Sequence, residues 1–269
     1  MNQICIFVDG ENLRHSIVDL FLGVFDKENF LPKNALWNDF FTSLTTRLTS
    51  PSLGLLRTYW YIVQHMDFWP WGLPVNRINY LQKQVSFPAN KSRYQPELDQ
   101  EQTKLLKILS KNKDIKRQIE CVTDKNTKAF QIAEQLNQER RKMEERFKGW
   151  QNICDGIALK HKAIEFRRAG SIVYDLFERD FRTEKAVDVK LATDLITLKE
   201  IYGTAIIVSG DQDYVPAVQA IKDAGKRVIN VCFLTRNKEM LPGGARRLNQ
   251  ITDDRIEVTY DEMKGFMNL

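Results

Sequence analysis

Gln3-Ile4-Cys5-Ile6-Phe7-Val8-Asp9-Gly10-Glu11-Asn12 is the stretch that decides the fold class. Its apolar run, residues 3–8, has the length and β-branched content of a buried strand. The Asp-Gly pair then favours a tight turn, and a helical pattern of apolar residues starts two positions later. The stretch therefore predicts a strand, a turn and a helix in succession, with an aspartate directly after the strand.

Strand-like segments of the same kind recur downstream. Residues 55–63 are rich in aromatic and β-branched side chains, and residues 172–177 are a weaker candidate. Residues 204–208 run into Ser-Gly-Asp and then a helical pattern, and residues 227–234 supply another strand. Strands that alternate with helices indicate a parallel sheet, in which functional residues gather at the carboxyl ends of the strands. The loops after Val8 and Val208 are therefore where a site is expected.

A long segment between these halves differs in composition. It contains no glycine from Leu73 to Lys148 and no proline from Glu97 to Val215, which indicates long helices. Apolar residues step by three and four on both sides of a polar break, as in a coiled-coil seam. We predict an inserted antiparallel helical hairpin over 89–168, between the two parts of an α/β domain at 1–88 and 169–269. The charged residues of the hairpin indicate a solvated face in preference to a nucleic-acid groove, which stays open as the alternative because of the basic runs at 140–142 and 167–168. A protruding hairpin would also serve as an arm for a homodimer or protein partner.

Composition limits the protein classes that remain. The net charge of +5 suits a polyanionic partner without requiring one. The four cysteines are scattered, with neither a zinc-binding pair nor a disulfide framework, which fits a reducing cytoplasm. No stretch of about 18 consecutive apolar residues occurs, so a membrane-spanning protein is not expected.

Aspartates follow the two predicted strands that end at Val8 and Val208. Asp9 comes just after the first strand and Asn12 starts the next helix, although an Asp-Gly turn with an Asn cap explains both residues equally well. Asp211 and Asp213 follow the Ser209-Gly210 turn, where Asp213 is also a plausible helix cap. Two carboxylates one residue apart repel each other unless a cation or hydrogen-bond donors lie between them, and a hard divalent ion with oxygen ligands is the usual solution.

A helix over residues 185–195 carries two more aspartates. Its apolar stripe centres between Asp188 and Asp194, so each flanks the buried side and needs a partner. They lie roughly 9 Å apart along the helix axis, too far for one ion to bind both directly. We predict Asp188 as the metal ligand, and Asp194 as a supporting residue or a partner of Lys190 one turn earlier. Lys185 is a candidate phosphate contact, or an ordinary surface lysine.

In this order the motifs resemble the NYN domain family of PIN-like nucleases, and within it the bacterial LabA-like branch. The resemblance rests on Asp9-x-x-Asn12, on Lys185-Ala-Val-Asp188 followed by Asp194, and on Ser209-Gly-Asp211-x-Asp213-Tyr214-x-Pro216 with Gly225 beyond it. It implies a PIN-like three-layer α/β/α sandwich around a central, mostly parallel sheet, an acidic Mg²⁺ or Mn²⁺ site, and RNA as the substrate. Carried over by position, the catalytic and metal-binding residues are Asp9, Asp188, Asp211 and Asp213, and the supporting residues are Asn12, Asp194 and Ser209. The resemblance is expected over roughly the first 65 residues and from about 170 onward, without the helical insertion.

The sequence is also compatible with two other functions. A non-catalytic regulator or scaffold would keep the fold and bind a protein or RNA through the hairpin. DNA is an alternative substrate, because a metal site that cleaves phosphodiesters does not by itself read the 2′-hydroxyl. A phosphatase of the haloacid-dehalogenase type is disfavoured, because Glu11 stands where its second aspartate belongs.

Overall fold

The structure is a computed structural model that describes residues 3–24, 32, 34–48, 54–182, 184–241 and 245–269. Its elements confirm the predicted α/β class. The strands are β1 (Gln3–Asp9), β2 (Gly54–Trp69), β3 (Ile164–Asp175), β4 (Asp180–Phe181), β5 (Thr204–Val208), β6 (Arg227–Leu234), β7 (Met240–Leu241) and β8 (Asp254–Thr259). The helices are α1 (Gly10–Leu20), α2 (Trp37–Thr46), α3 (Val75–Val85), α4 (Pro88–Leu109), α5 (Lys113–Glu120), α6 (Lys125–Lys160), α7 (Val187–Thr197), α8 (Val215–Asp223), α9 (Ala245–Ile251) and α10 (Tyr260–Met267).

The central sheet is mostly parallel, as predicted, and helices flank it. β1 pairs in parallel with β2 on one side and with β5 on the other. The parallel pairing continues from β5 to β6 and from β6 to β8, while the short β7 pairs with β6 in the antiparallel sense. β1 and β5 are buried along almost their whole length, which explains why they are continuous apolar runs in the sequence.

The chain divides into two compact units. Unit 1 comprises Met1–His65, Phe147–Ile172 and Glu184–Leu269, and unit 2 comprises Met66–Arg146 and Val173–Thr183. These divisions fall at other positions than the predicted boundaries at 88/89 and 168/169. The reason is α6, whose second half contributes Trp150 and Cys154 to the core of unit 1.

The core of unit 1 lies around the central sheet. Ile6 and Val8 of β1, Trp60 of β2 and Ile206 of β5 are essentially inaccessible to solvent. An aromatic group packs with them, in which the Trp37 and Trp60 rings lie 4.9 Å apart at an interplanar angle of 70°. Apolar burial on this scale fixes the positions of β1 and β5, and so the positions of the loops that follow them.

Unit 2 is built around α3, α4, α5 and the first half of α6. Each long helix buries one apolar stripe, with Ile78 on α3, Leu105 and Leu109 on α4 and Leu136 on α6 in one cluster. The helical insertion read from the sequence is therefore present, although α3 also belongs to this unit. No helix in the described part of the chain is long and apolar enough to span a membrane.

Several elements differ from the sequence prediction. β2 continues six residues beyond the predicted Val63, because its outer part is only half buried and carries polar side chains that hide the strand pattern. β3 starts at Ile164, inside the predicted hairpin. β8 and α10 were not predicted, although the Thr259 hydroxyl and the Glu262 carboxylate form a capping box that is recognisable in sequence.

Candidate functional site

The centre of the candidate site is the edge where β1 and β5 end side by side. Val8 is paired with Val208 in the parallel ladder, so the next residues, Asp9 and Ser209, are neighbours. The Ser209 hydroxyl donates a hydrogen bond of 2.9 Å to Oδ2 of Asp9. Residues 200 positions apart in sequence thus meet where the sequence predicted that they would.

The loops after the two strands are bonded to each other through Asp9 and Asn12. Asp9 caps α1, with its Oδ1 accepting a hydrogen bond from the Asn12 amide at 3.0 Å. The Asn12 side chain accepts a hydrogen bond from the Gly210 amide at 2.9 Å. The helix cap is therefore Asp9, and not Asn12 as the turn interpretation had it, and capping uses one carboxylate oxygen of Asp9 while the other bonds to Ser209 and Tyr214.

The Tyr214 hydroxyl connects Asp9 to Asp188. It lies 3.2 Å from Oδ2 of Asp9 and 2.8 Å from Oδ1 of Asp188, and the tyrosine is fully buried. A phenol has one hydrogen to donate, so it can satisfy one of these two carboxylates at a time. Asp9 also accepts hydrogen bonds from the Asn12 amide and the Ser209 hydroxyl, whereas Asp188 is partly exposed to solvent. Asp9 and Asp188 therefore form a closely coupled acidic pair, which matches their predicted convergence.

Asp211 and Asp213 lie next to this pair. The Asp211 amide donates to the Ser209 hydroxyl at 3.1 Å, and its Oδ1 caps the following 3-10 turn by accepting from the Asp213 amide at 2.9 Å. Asp213 is exposed and Asp211 is partly exposed. Burial raises the pKa of Asp188, and the negative charges of Asp211 and Asp213 raise it further. These four aspartates thus share one electrostatic environment.

Asp9 itself is poorly suited to carry an unbalanced charge. Burial raises its pKa from 3.8 to about 7, and the charge of Asp188 adds to the rise. The hydrogen bonds from the Asn12 amide, Ser209 and Tyr214 oppose it without cancelling it. The group is therefore poised to exchange a proton near neutral pH, or to ionise fully when a cation binds.

Glu184 is an acidic residue of this site that the sequence motifs did not single out. Both of its carboxylate oxygens are buried and have no hydrogen-bond partner in the described structure. Burial raises its pKa from 4.5 to about 8, with further contributions from the negative charges of Asp9, Glu11 and Asp188, while Arg14 lowers it. No local signal marks Glu184 in the sequence, because its burial arises from tertiary packing.

A tight backbone contact holds the segment that carries Glu184 and Asp188. The Lys185 amide and carbonyl pair with Ser171 of β3, at 2.9 and 3.2 Å. Gly170 has φ of +61°, and a Cβ atom there would lie 1.7 Å from the Lys185 carbonyl oxygen. Ala186 follows in the left-handed region, at φ of 75°, a strained conformation of the kind often found at functional sites. The exposed Lys185 side chain makes no described contact that supports the predicted role at phosphate.

Gly170→Ala is expected to damage the site as well as the fold. The added methyl group would displace the Lys185 carbonyl and, with it, the start of α7. We expect a loss of about 1–3 kcal/mol of unfolding free energy and at least about tenfold weaker Mn²⁺ binding. Gly225→Ala is the matched control, because Gly225 also has a positive φ, +77°, but open space around it. Urea unfolding and calorimetry would measure both, and equal Mn²⁺ affinities in the two variants would refute the positioning role.

Asp194 lies apart from the acidic pair in a network of its own. Lys190 donates to its Oδ1 at 2.9 Å, the Tyr61 hydroxyl donates to Oδ2 at 3.1 Å, and Arg167 pairs with the same Oδ2. Although burial alone would raise the pKa of Asp194, these bonds hold it below its usual value. The predicted pairing with Lys190 is therefore present, and Asp194 anchors α7 to β2 and β3.

The described residues contain no group of three or more Asp, Glu, His or Cys side chains already arranged to hold a metal ion. The chemistry of the acidic edge nevertheless fits a divalent cation. Its donors are carboxylate oxygens, two of its acids have strongly raised pKa values, and the oxygens of Glu184 lack any described partner.

Fold and site together define an α/β protein with an acidic cluster at the carboxyl ends of neighbouring parallel strands. The NYN domain family matches residues 99–242, more than half of the chain, and the chain belongs to that family. The match includes Lys185, Asp188, Asp194, Ser209, Asp211 and Asp213. Asp9 and Asn12 lie outside it, so their place in the site rests on the hydrogen bonds described above. The expectation that the family resemblance leaves out the helical insertion is wrong, because residues 99–168 lie within the matched range.

Other similarities are distant. No match was found among curated proteins. Among solved structures, the chain is similar to a protein of unknown function from Vibrio parahaemolyticus RIMD 2210633, at 13% identity and a TM-score of 0.41, covering 96% of this chain and 93% of that one.

Proposed function

We propose that the protein is a metal-dependent ribonuclease that cleaves RNA phosphodiester bonds at the edge formed by β1, β5 and α7. Membership of the NYN domain family, a family of PIN-like nucleases, supports this class of activity. The observation that carries the proposal is the single Tyr214 hydroxyl shared by Asp9 and Asp188, at 3.2 and 2.8 Å. Asp9 is buried and Asp188 is partly exposed, so two like charges this close repel each other, and a divalent cation, which a nuclease site of this kind needs, would relieve that repulsion.

The residues of the edge fall into two roles under this proposal. Asp9, Asp188, Asp211 and Asp213 would hold Mg²⁺ or Mn²⁺. The bound ion would activate a water and offset the charge that develops on the phosphate. Asn12, Ser209 and Tyr214 fix the carboxylates, since each bonds to Asp9 or ties the loop after β5 to the loop after β1.

The finer assignments belong to the same proposal. RNA is the proposed substrate, with DNA as a comparison in the assay, and the order of the motifs favours the LabA-like branch. The cytoplasm is the proposed location, because Cys5, Cys121, Cys154 and Cys232 are free thiols, as suits a reducing compartment. Lys185, whose side chain is exposed, is the proposed contact to the phosphate backbone.

Cleavage of a labelled single-stranded RNA tests the proposal. We expect product with Mn²⁺ or Mg²⁺, none with EDTA, and a loss of about 10²-fold or more in Asp188→Asn. Asp223→Asn is the control, because Asp223 is an exposed aspartate at the end of α8 that bonds only to Gln219 in the described structure. A parallel assay with DNA of the same sequence measures the preference for RNA.

Absence of cleavage by the wild-type protein under every cation condition would refute the nuclease proposal. The rival function, a non-catalytic scaffold that binds a protein or RNA partner through the helices of unit 2, would then be favoured. Removing residues 97–160 is not a clean test of that rival. It would take Trp150 and Cys154 out of the core of unit 1.

A further inference from the structure

The carboxylate of Glu184 is buried without a hydrogen-bond partner in the described structure. Both oxygens are shielded from solvent, while the rest of the residue is partly exposed. Burying a carboxylate without donors is unfavourable unless the group is protonated or meets a positive charge. A side chain in this state points to a missing partner.

The surroundings of Glu184 determine what kind of partner is missing. Asp9, Glu11 and Asp188 are near enough to act on it, and all three are acidic. Arg14 is a cationic residue that lowers its pKa, and the Arg14 guanidinium also bonds to Glu11 at 2.8 Å and contacts His15 at 3.1 Å. Negative charges therefore exceed positive ones around a carboxylate that has no donor, and a small cation would correct both deficits at once.

The backbone delivers Glu184 to the same place as Asp188. Lys185 is paired with Ser171, and its carbonyl oxygen lies so close to Gly170 that a Cβ atom there would be 1.7 Å from it. The left-handed turn at Ala186 then starts α7, which carries Asp188 in its first turn. One anchored segment thus carries both carboxylates, Glu184 and Asp188.

We propose that Glu184 supplies an oxygen ligand to the divalent cation that Asp9 and Asp188 bind, which makes it a fifth carboxylate of the site. This inference rests on the cation site of the proposed function, but not on RNA cleavage. It explains why a partnerless carboxylate is retained in a buried position, where glutamine of the same shape would cost less.

Calorimetric titration of the full chain with Mn²⁺ in the absence of RNA tests this role. We expect Glu184→Gln to bind Mn²⁺ at least about tenfold more weakly than the wild type, and Glu184→Asp, which keeps the charge, to fall in between. Glu200→Gln is the matched control, because Glu200 is an exposed glutamate outside the site, and its affinity should equal that of the wild type. Without cation, Glu184→Gln should unfold at the same temperature as the wild type or above it.

The two proposals fail in distinguishable ways. Equal Mn²⁺ affinity in Glu184→Gln and Glu200→Gln would overturn the assignment of Glu184, even if the wild type cleaves RNA. Mn²⁺ binding that depends on Glu184 in a protein that does not cleave RNA would uphold the assignment and refute the nuclease. Should Glu184→Gln fail to fold, Glu184→Asp decides the question, and a Mn²⁺ affinity equal to that of the wild type would count against the ligand role. Absence of Mn²⁺ binding in the wild type would also count against it.

Discussion

Asp9→Asn is expected to lower cation-dependent RNA cleavage by about 10³-fold while the protein remains folded. Asp9 is the most deeply buried aspartate of the four, and its Oδ2 accepts from the Tyr214 hydroxyl, which also lies 2.8 Å from Asp188. Asparagine keeps the oxygen that caps α1, because it is as good a cap as aspartate. It removes the negative charge that would hold the cation, so binding of Mn²⁺ should weaken together with the rate.

The stability of Asp9→Asn separates a functional role from a structural one. Removing a charge that burial and Asp188 both disfavour should leave the free energy of unfolding without cation unchanged or increased. Single-turnover cleavage and urea unfolding measure the two effects. A variant that loses stability and activity in proportion would show that Asp9 serves the fold, and one that cleaves at the wild-type rate would exclude it from the active site.

The second large effect is a dependence of cation-induced stabilisation on pH. Burial raises the pKa of Asp9 from 3.8 to about 7 and that of Glu184 from 4.5 to about 8. At a pH between its ordinary and its raised pKa, each group is protonated in the folded protein and ionised in the unfolded chain. Their contribution to stability is therefore complete at low pH and is lost as pH rises through the raised values. The cation-free protein should accordingly lose stability from about pH 6 to about pH 8 on their account.

Added Mn²⁺ should reverse this trend, because carboxylates bind it in their ionised form. We expect the rise in melting temperature on adding Mn²⁺ to be several degrees larger at about pH 8 than at about pH 6, given about 2–4 °C per kcal/mol for a chain of this size. The double variant Asp9→Asn/Glu184→Gln should show no such difference, while Glu200→Gln should retain it. The same Mn²⁺ effect at both pH values in the wild type would contradict the raised pKa values as its cause.

The sequence was sufficient for the parts of the site that follow from sheet geometry. Asp9 and Ser209 each come directly after a buried parallel strand, and such strands end at one edge, so their meeting could be predicted without coordinates. The position of Asp188 could be predicted from helical periodicity. The pairing of Asp194 with Lys190 was within reach for the same reason, since the two lie one turn apart on α7.

What the sequence could not show depends on contacts between distant segments. The carboxylate oxygens of Glu184 are buried in a segment that pairs with β3 next to Gly170 and Ser171, and no residue near Glu184 in sequence signals this contact. Arg167, the second cationic partner of Asp194, comes from the same strand, which sequence reasoning had started too late. α6 is a single helix whose two halves belong to different compact units. Apolar periodicity indicates that one face of a helix is buried, but it does not indicate which other elements cover that face.

Anomalous diffraction from a crystal containing Mn²⁺ tests the central claim most directly, because it locates the ion without reference to any activity. One Mn²⁺ peak within about 2.0–2.6 Å of oxygens of both Asp9 and Asp188 is the expected result, given typical distances for oxygen ligands. A crystal grown at neutral pH with saturating Mn²⁺ that has no peak between these two carboxylates, or has Mn²⁺ only elsewhere on the protein, would contradict the account.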